Sequence, residues 1–222
     1  MLYGAIAADV IDSTSLTKED ILQLGDEIRT CLTDMRRYNY HSFWGRVVKG
    51  DTFECCVDDP RMALRLALLV KCRIKAWAGA LSCSVALKEL GVRFSIGVGS
   101  MRINDPKIDI MDGEAIYIAG RNLYKISESP LTSIFGMNLS DRNVLNLLNI
   151  SITLVDDLVN SLSAKQSEVI YWRLLHRTEI EISNILEISQ SSVNSRSRIG
   201  GWKLISETLN VYEQINFSDY VV

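Results

Sequence analysis

The apolar residues change their period along the chain, and each change marks an element. Residues 2–11, LYGAIAADVI, are almost continuously apolar and read as a strand. From Thr17 to about Tyr38 the period becomes helical: Ile21, Leu24, Ile28, Cys31, Leu32 and Met35 recur at spacings of three and four. Thr17 is placed to cap this helix, and Glu19 and Asp20 fall in its first turn, where negative charge is favourable. Two more apolar strands cross residues 42–57 and turn at Lys49-Gly50-Asp51. Pro60 opens a second helix, with Met62, Leu66, Leu69, Val70 and Ile74 on its buried side. Residues 91–99, GVRFSIGVG, predict a strand. Asp112-Gly113 precedes a helix to about Ile126, and a short strand near 131–136 follows Pro130. The order β-α-β-β-α-β, then a helix and a strand, predicts an α+β fold. Its form is ferredoxin-like, one antiparallel sheet with helices on one face.

Past residue 137 the texture shifts. After Gly136 no glycine appears until Gly200, and strand patterns stop. The chain therefore divides into an α+β domain over residues 1–136, a helical linker over 137–160, and an all-α domain over 161–222.

Composition narrows the classes. A 222-residue chain with 47% hydrophobic residues is ample for a packed core. A net charge of −3 advertises no general affinity for nucleic acid or membrane. The apolar stretch AWAGALSCSVAL, residues 76–87, falls short of the roughly 20 residues a spanning helix needs. The N-terminus has no basic segment of the signal-peptide kind. Five cysteines (Cys31, Cys55, Cys56, Cys72, Cys83) show no CxxC spacing and lie mostly in apolar segments, which fits a reducing, cytoplasmic setting. Two histidines, His41 and His176, argue against a histidine-based site; His176 is placed to end a helix.

Against this background two carboxylates stand out. Asp9 interrupts the first strand, and Asp51 sits in the turn between the next two. Buried carboxylates are costly unless paired. If the strands are neighbours, two hard oxygen ligands converge at one end of a sheet, which suits Mg²⁺ with substrate phosphates. The plainer reading is that Asp9 ends its strand and Asp51 serves the turn.

Four segments in order, ADVIDST (8–14), VVKGDTFE (47–54), VRFSIGVGS (92–100) and DGEAIYIAGRNL (112–123), resemble the successive motifs of class III nucleotidyl cyclase homology domains. More narrowly they resemble the SatD-type family, a bacterial group with a cyclase-like N-terminal domain. The resemblance implies that Asp9 and Asp51 bind metal, Mg²⁺ or Mn²⁺. It also implies that Ser13, Thr14 and Arg121 contact a nucleotide, with Arg121 stabilising a phosphoryl-transfer transition state. Two positions depart from the active pattern. Tyr117 stands where active members have asparagine, and Asp12 replaces a glycine of the phosphate loop, adding repulsive charge.

Residues 178–198, TEIEISNILEISQSSVNSRSR, are similar to the helix-turn-helix of LuxR-like regulators and sigma-factor C-terminal regions. Thr178 and Ser189 are placed to cap two helices. Ile182, Leu186, Ile188 and Val193 form the apolar hinge between them. The exposed side of the second helix offers Gln190, Ser191, Asn194, Ser195 and Arg198 to DNA, flanked by Arg196 and Lys203. Trp202 reads as core. Glu187 occupies a turn position where glycine is usual. Residues 163–222 carry six basic and seven acidic side chains, so only the Arg196–Lys203 cluster is locally basic. The pairing of a cyclase-like domain with a helix-turn-helix is itself shared with SatD-type proteins.

The sequence thus predicts a cytoplasmic, homodimeric DNA-binding regulator, dimerised mainly through residues 1–136. Its cyclase-like domain is catalytically degenerate and serves sensing or dimerisation, with a nucleotide as its ligand. The alternative is an active metal-dependent nucleotidyl cyclase or related phosphoryl-transfer enzyme.

Overall fold

The computed structural model describes all residues except 39–41, 81–89, 140 and 221–222. His41 and Cys83 fall outside the described residues. In chain order the elements are β1 (Tyr3–Val10), α1 (Lys18–Tyr38), β2 (Phe43–Lys49), β3 (Thr52–Val57), α2 (Ala63–Ala80), β4 (Val92–Gly99), β5 (Met101–Asp105), β6 (Ile110–Gly113), α3 (Glu114–Ser127), β7 (Ser133–Met137), α4 (Arg142–Asn160), α5 (Ala164–Leu174), α6 (Glu179–Ile185), α7 (Gln190–Ile199) and α8 (Trp202–Glu213). The fold is mixed α+β, with a five-stranded sheet in the order β2-β3-β1-β4-β7.

Neighbouring strands run antiparallel except β4 and β7, which are parallel. A parallel pair requires a crossover, and α3 supplies it. That crossover corrects the expectation of helices on one face. Ile6, Phe53, Phe94, Ile96 and Phe135 point to the side covered by α1 and α2. Ala5, Ala7 and Cys56 point to the opposite side, where they pack on Ala115, Ile116 and Ala119 of α3. This second face is built from small residues: Gly97 pairs with Ala5 on one side and Gly136 on the other. A β-carbon at Gly97 would stand 2.1 Å from the Ala115 carbonyl oxygen, so only glycine lets α3 sit this close.

The hairpin β5–β6 has no counterpart in the sequence reading. Its strands are short and Ile103, Ile108 and Ile110 are exposed, so no clean alternation betrayed it. It packs back on β2, where the Trp44 indole donates to Asn104 at 2.5 Å.

Helix α2 is buried all round, beyond the single apolar stripe that its spacing suggested. Leu64, Arg65, Ala67, Leu68, Lys71 and Cys72 are buried alongside Leu66, Leu69, Val70 and Ile74. Such a helix needs partners on every side. The sheet covers one, and α5 and α8 cover another, so side chains from α4, α5 and α8 join the same apolar cluster as the sheet. Two cations on α2 bind this layer. Lys71 pairs with Asp156 of α4, both almost fully buried, and Asp156 also accepts from the Thr132 hydroxyl. Arg65 Nε reaches Glu213 of α8 at 2.6 Å, while its Nη1 donates to the Leu174 carbonyl at 3.1 Å. Burial lowers the Lys71 proton affinity, against the pull of Asp156.

Strand β7 lies at the sheet's border. There Asn149 of α4 accepts from the Phe135 N–H at 2.8 Å and donates to the Phe135 carbonyl at 3.0 Å. One carboxamide thus occupies the hydrogen-bonding pair that a neighbouring strand would use. Cys31, Cys55, Cys56 and Cys72 are buried and unbonded, and burial pushes the Cys56 and Cys72 thiols up to about 12. They are protonated and inert.

Candidate functional site

Asp9 and Asp51 lie at one end of the sheet on neighbouring strands. Asp9 stands opposite Thr52 on β3 and opposite Arg93 on β4. Asp51 immediately precedes Thr52 in the β2–β3 turn, and its carbonyl accepts from the Val10 N–H at 3.2 Å.

Each carboxylate has its own partner. Arg93 grips Asp9 with two bonds, Nε to Oδ1 at 3.0 Å and Nη2 to Oδ2 at 3.1 Å. Its Nη1 donates to the Ser127 carbonyl at 2.8 Å. A two-pronged guanidinium–carboxylate contact is among the stronger polar pairings, and here it offsets the cost of charge on a strand. The sequence reading missed Arg93. The available signal was a lone cation inside the apolar strand GVRFSIGVG, of opposite sign to the lone anion in β1. The Asp51 Oδ2 accepts from the buried Ser13 hydroxyl, and Oδ1 accepts from Thr52 at 3.3 Å.

Arg93 and Ser13 thus engage the two carboxylates that a Mg²⁺ or Mn²⁺ ion would use. A divalent ion would have to draw Asp9 away from Arg93. No group of three or more His, Cys, Asp or Glu side chains suited to a metal exists among the described residues.

The predicted nucleotide contacts do not come together. Ser13 is committed to Asp51, and Thr14 is exposed in a single turn over Ser13–Ser15. Asp12 opens that turn in the left-handed region, at φ 59°, and its carbonyl accepts from the Ser15 hydroxyl at 2.7 Å. Aspartate tolerates this conformation better than most residues, which explains how the chain does without glycine here. Arg121 is exposed on α3 and lines a different place, a cleft of about 710 Å³ between α3, β7 and α4 that it shares with Lys125 and Asn138. None of Asp9, Ser13, Thr14 and Asp51 lines that cleft. The end of α3 touches the carboxylate end through Ser127, and Arg121 lies six residues earlier, roughly 9 Å along the axis. Arg121 thus lines a cleft to which neither aspartate contributes. Tyr117 is exposed and donates to Asp112, which also binds Arg102.

The C-terminal helices form a second candidate site. Thr178 caps α6 in a reciprocal capping box with Glu181, and Ser189 caps α7 by accepting from the Ser192 N–H at 3.2 Å. Ile182 and Val193 are buried with Val169 of α5, and Leu186 and Ile188 pack beside them. The turn between the helices closes with an Ile188 N–H to Ser183 carbonyl bond at 3.1 Å, the six-to-one bond of a Schellman end. His176 ends α5 in the same manner, at φ 60°.

On α7, Gln190, Ser191, Asn194 and Arg198 are exposed, Arg196 is half-buried, and Lys203 is exposed at the start of α8. Trp202 packs against the main core. Asn194 is less free than its exposure implies, since its amide reaches Glu179 Oε1 at 3.4 Å. The organising residue that sequence reading passed over is Arg173 on α5. It binds Glu179 at the start of α6 and donates to Ser197 of α7 at 3.3 Å, so one guanidinium holds the three helices in place.

Glu187 sits at φ 52° in the turn. A non-glycine residue there costs about 1–2 kcal/mol, and glycine would return part of that through its looser unfolded chain. Glu187→Gly is expected to raise stability by about 0.5–1 kcal/mol, read as a higher urea midpoint at unchanged slope.

No protein-family model matches this sequence, and no curated protein matches it. Among solved structures the chain is similar to a bacterial light-regulated adenylyl cyclase, at 17% identity over 60% of this chain and 74% of that one, with a TM-score of 0.43. A second structure of a bacterial light-regulated adenylyl cyclase is similar at 15% identity, over 61% of this chain and 42% of that one, with a TM-score of 0.47. The active GGEEF domain of a diguanylate cyclase from Vibrio cholerae is similar at 14% identity, over 62% and 83% of the two chains, with a TM-score of 0.37. No helix among the described residues is long and apolar enough to cross a membrane.

Proposed function

We propose that this chain is a cytoplasmic DNA-binding regulator of the SatD type. In this reading α6 and α7 form a helix-turn-helix, and the first elements form a ferredoxin-like, cyclase-derived unit that has lost catalysis. The observation that carries it is the division of α7 into two sides. Val193 and Ser197 are buried, while Gln190, Ser191, Asn194 and Arg198 make one exposed polar stripe. Short amides and hydroxyls with one long cation suit base edges and phosphates in a major groove. The enzymatic reading is weaker because Arg93 and Ser13 engage the two carboxylates it needs.

The region's near-neutral charge means weak general affinity, so binding has to rest on a particular sequence. Selection from a random duplex library with the full chain is the direct experiment. Arg198→Ala is expected to weaken the selected complex by about 1–3 kcal/mol with relaxed preference at one base if Arg198 reads a guanine edge. A uniform loss with the salt slope reduced by about one unit would assign it to phosphate instead. Failure to enrich any sequence would remove the proposal.

A further inference from the structure

Helix α4 buries one side completely. Ile152, Val155 and Val159 are in the core, and Asp156 is paired with Lys71. Its other side should then be polar and charged, as on an ordinary surface helix. It is not. Leu147, Ile150 and Leu154 are 65%, 57% and 66% exposed, at spacings of three and four that stack them in one row. From Asn143 through Val155 the helix carries no charged residue at all. Depletion of charge around exposed large apolar side chains is the compositional mark of an interface centre. The surface continues across a groove of about 260 Å³ to α8, lined by Leu148 and Ser151 of α4 and by Thr208, the exposed Val211 and one charged residue, Glu207, of α8.

We infer that this face is where two copies of the chain meet, α4 against α4, about a two-fold axis near Ile150. The row is self-complementary under that operation. Antiparallel pairing about Ile150 sets Leu147 of one copy beside Leu154 of the other. The same operation sets exposed Arg142 at one end against exposed Asp157 at the other. Neither Arg142 nor Asp157 has an ion-pair partner among the described residues. A two-fold interface requires this matching of a surface with itself. A lipid surface is a poor occupant, because residues 142–160 hold one cation, Arg142, and two anions, Asp156 and Asp157. The size is adequate. A 19-residue helix is roughly 28 Å long, and with α8 beside it the face spans roughly 20 Å. That is on the order of the 800 Å² per partner typical of specific complexes. The sheet domain also exposes apolar side chains, Ile108 and Ile110 on the β5–β6 hairpin and Tyr117 and Tyr124 on α3, but exposed Arg102, Asp109, Arg121 and Lys125 stand among them, unlike the charge-free stretch of α4.

The test reads size and cross-linking, independently of DNA. The full chain is expected to be a dimer by analytical ultracentrifugation at micromolar concentration. Leu147→Glu/Leu154→Glu, both at exposed positions, should leave the circular dichroism spectrum unchanged and raise the dimer dissociation constant at least tenfold. Asp157→Arg should weaken the dimer, and adding Arg142→Asp should restore it. Ile150→Cys lies at the axis and should cross-link to itself on mild oxidation, whereas Glu19→Cys on α1 should not. A monomeric parent chain would overturn the proposal. So would a dimer indifferent to the double glutamate variant, which would place the contact elsewhere.

Discussion

Replacing Asp156 by alanine is expected to destabilise the protein by about 3–5 kcal/mol, because it leaves Lys71 buried and unpaired. The loss should show as a large fall in the urea midpoint. It has a signature in pH that a simple cavity would lack. Burial holds the folded-state proton affinity of Lys71 below its ordinary value of 10.5. Between the lowered folded value and 10.5 the unfolded chain binds more protons than the folded one. Stability attributable to this group therefore rises with pH across that window. Without Asp156 the folded value drops further and the window widens. The deficit of Asp156→Ala should be greatest at neutral pH and shrink as pH approaches 10.5. Lys71→Met combined with Asp156→Leu should recover most of the loss, since two apolar side chains need no partner. A deficit that is constant in pH and unaffected by the second change would show that the ion pair is not its cause.

Gly97→Ala is expected to cost about 3 kcal/mol despite adding one methyl group. The new carbon would meet the Ala115 carbonyl oxygen at 2.1 Å and the Ala119 nitrogen at 2.7 Å. Both are backbone atoms, so no rotamer change relieves the contact; α3 has to move off the sheet. Gly136 on the adjoining strand is a useful contrast. Its nearest neighbours would be the Asn122 amide nitrogen and the Ile118 γ2 methyl, side-chain rather than backbone atoms, and the Asn122 amide can turn aside. A Gly97→Ala loss no greater than that of Gly136→Ala would contradict this account of how α3 docks.

The alternating and helical patterns made most elements legible, because burial on one side leaves a period in the sequence. Helix α1 begins one residue after Thr17, whose hydroxyl accepts from the Asp20 N–H at 3.2 Å. The strands flanking Lys49-Gly50-Asp51 end and begin at that turn. Where both sides are buried the period vanishes, and α2 read as one-sided although it packs on the sheet and on α5. The hairpin β5–β6 failed for the opposite reason, having too little burial to leave a pattern. Asp9 was legible as an anomaly, but its partner was not, since nothing in the spacing of residues 9 and 93 states that β1 and β4 are adjacent. The left-handed turn at Glu187 was visible through its departure from glycine, whereas the bracing of α5, α6 and α7 by Arg173 depends on geometry across three elements.

The carboxamide of Asn149, which α4 sets against strand β7, bears on how that border of the sheet is kept from adding another strand. A bare sheet border is a template: any extended segment, from this chain or another, can add to it and leave a fresh border behind. Here the rung at Phe135 is already filled by a side chain that offers no onward ladder. Helix α4 therefore terminates the sheet chemically, and what it presents outward is a row of side chains that can associate once and close.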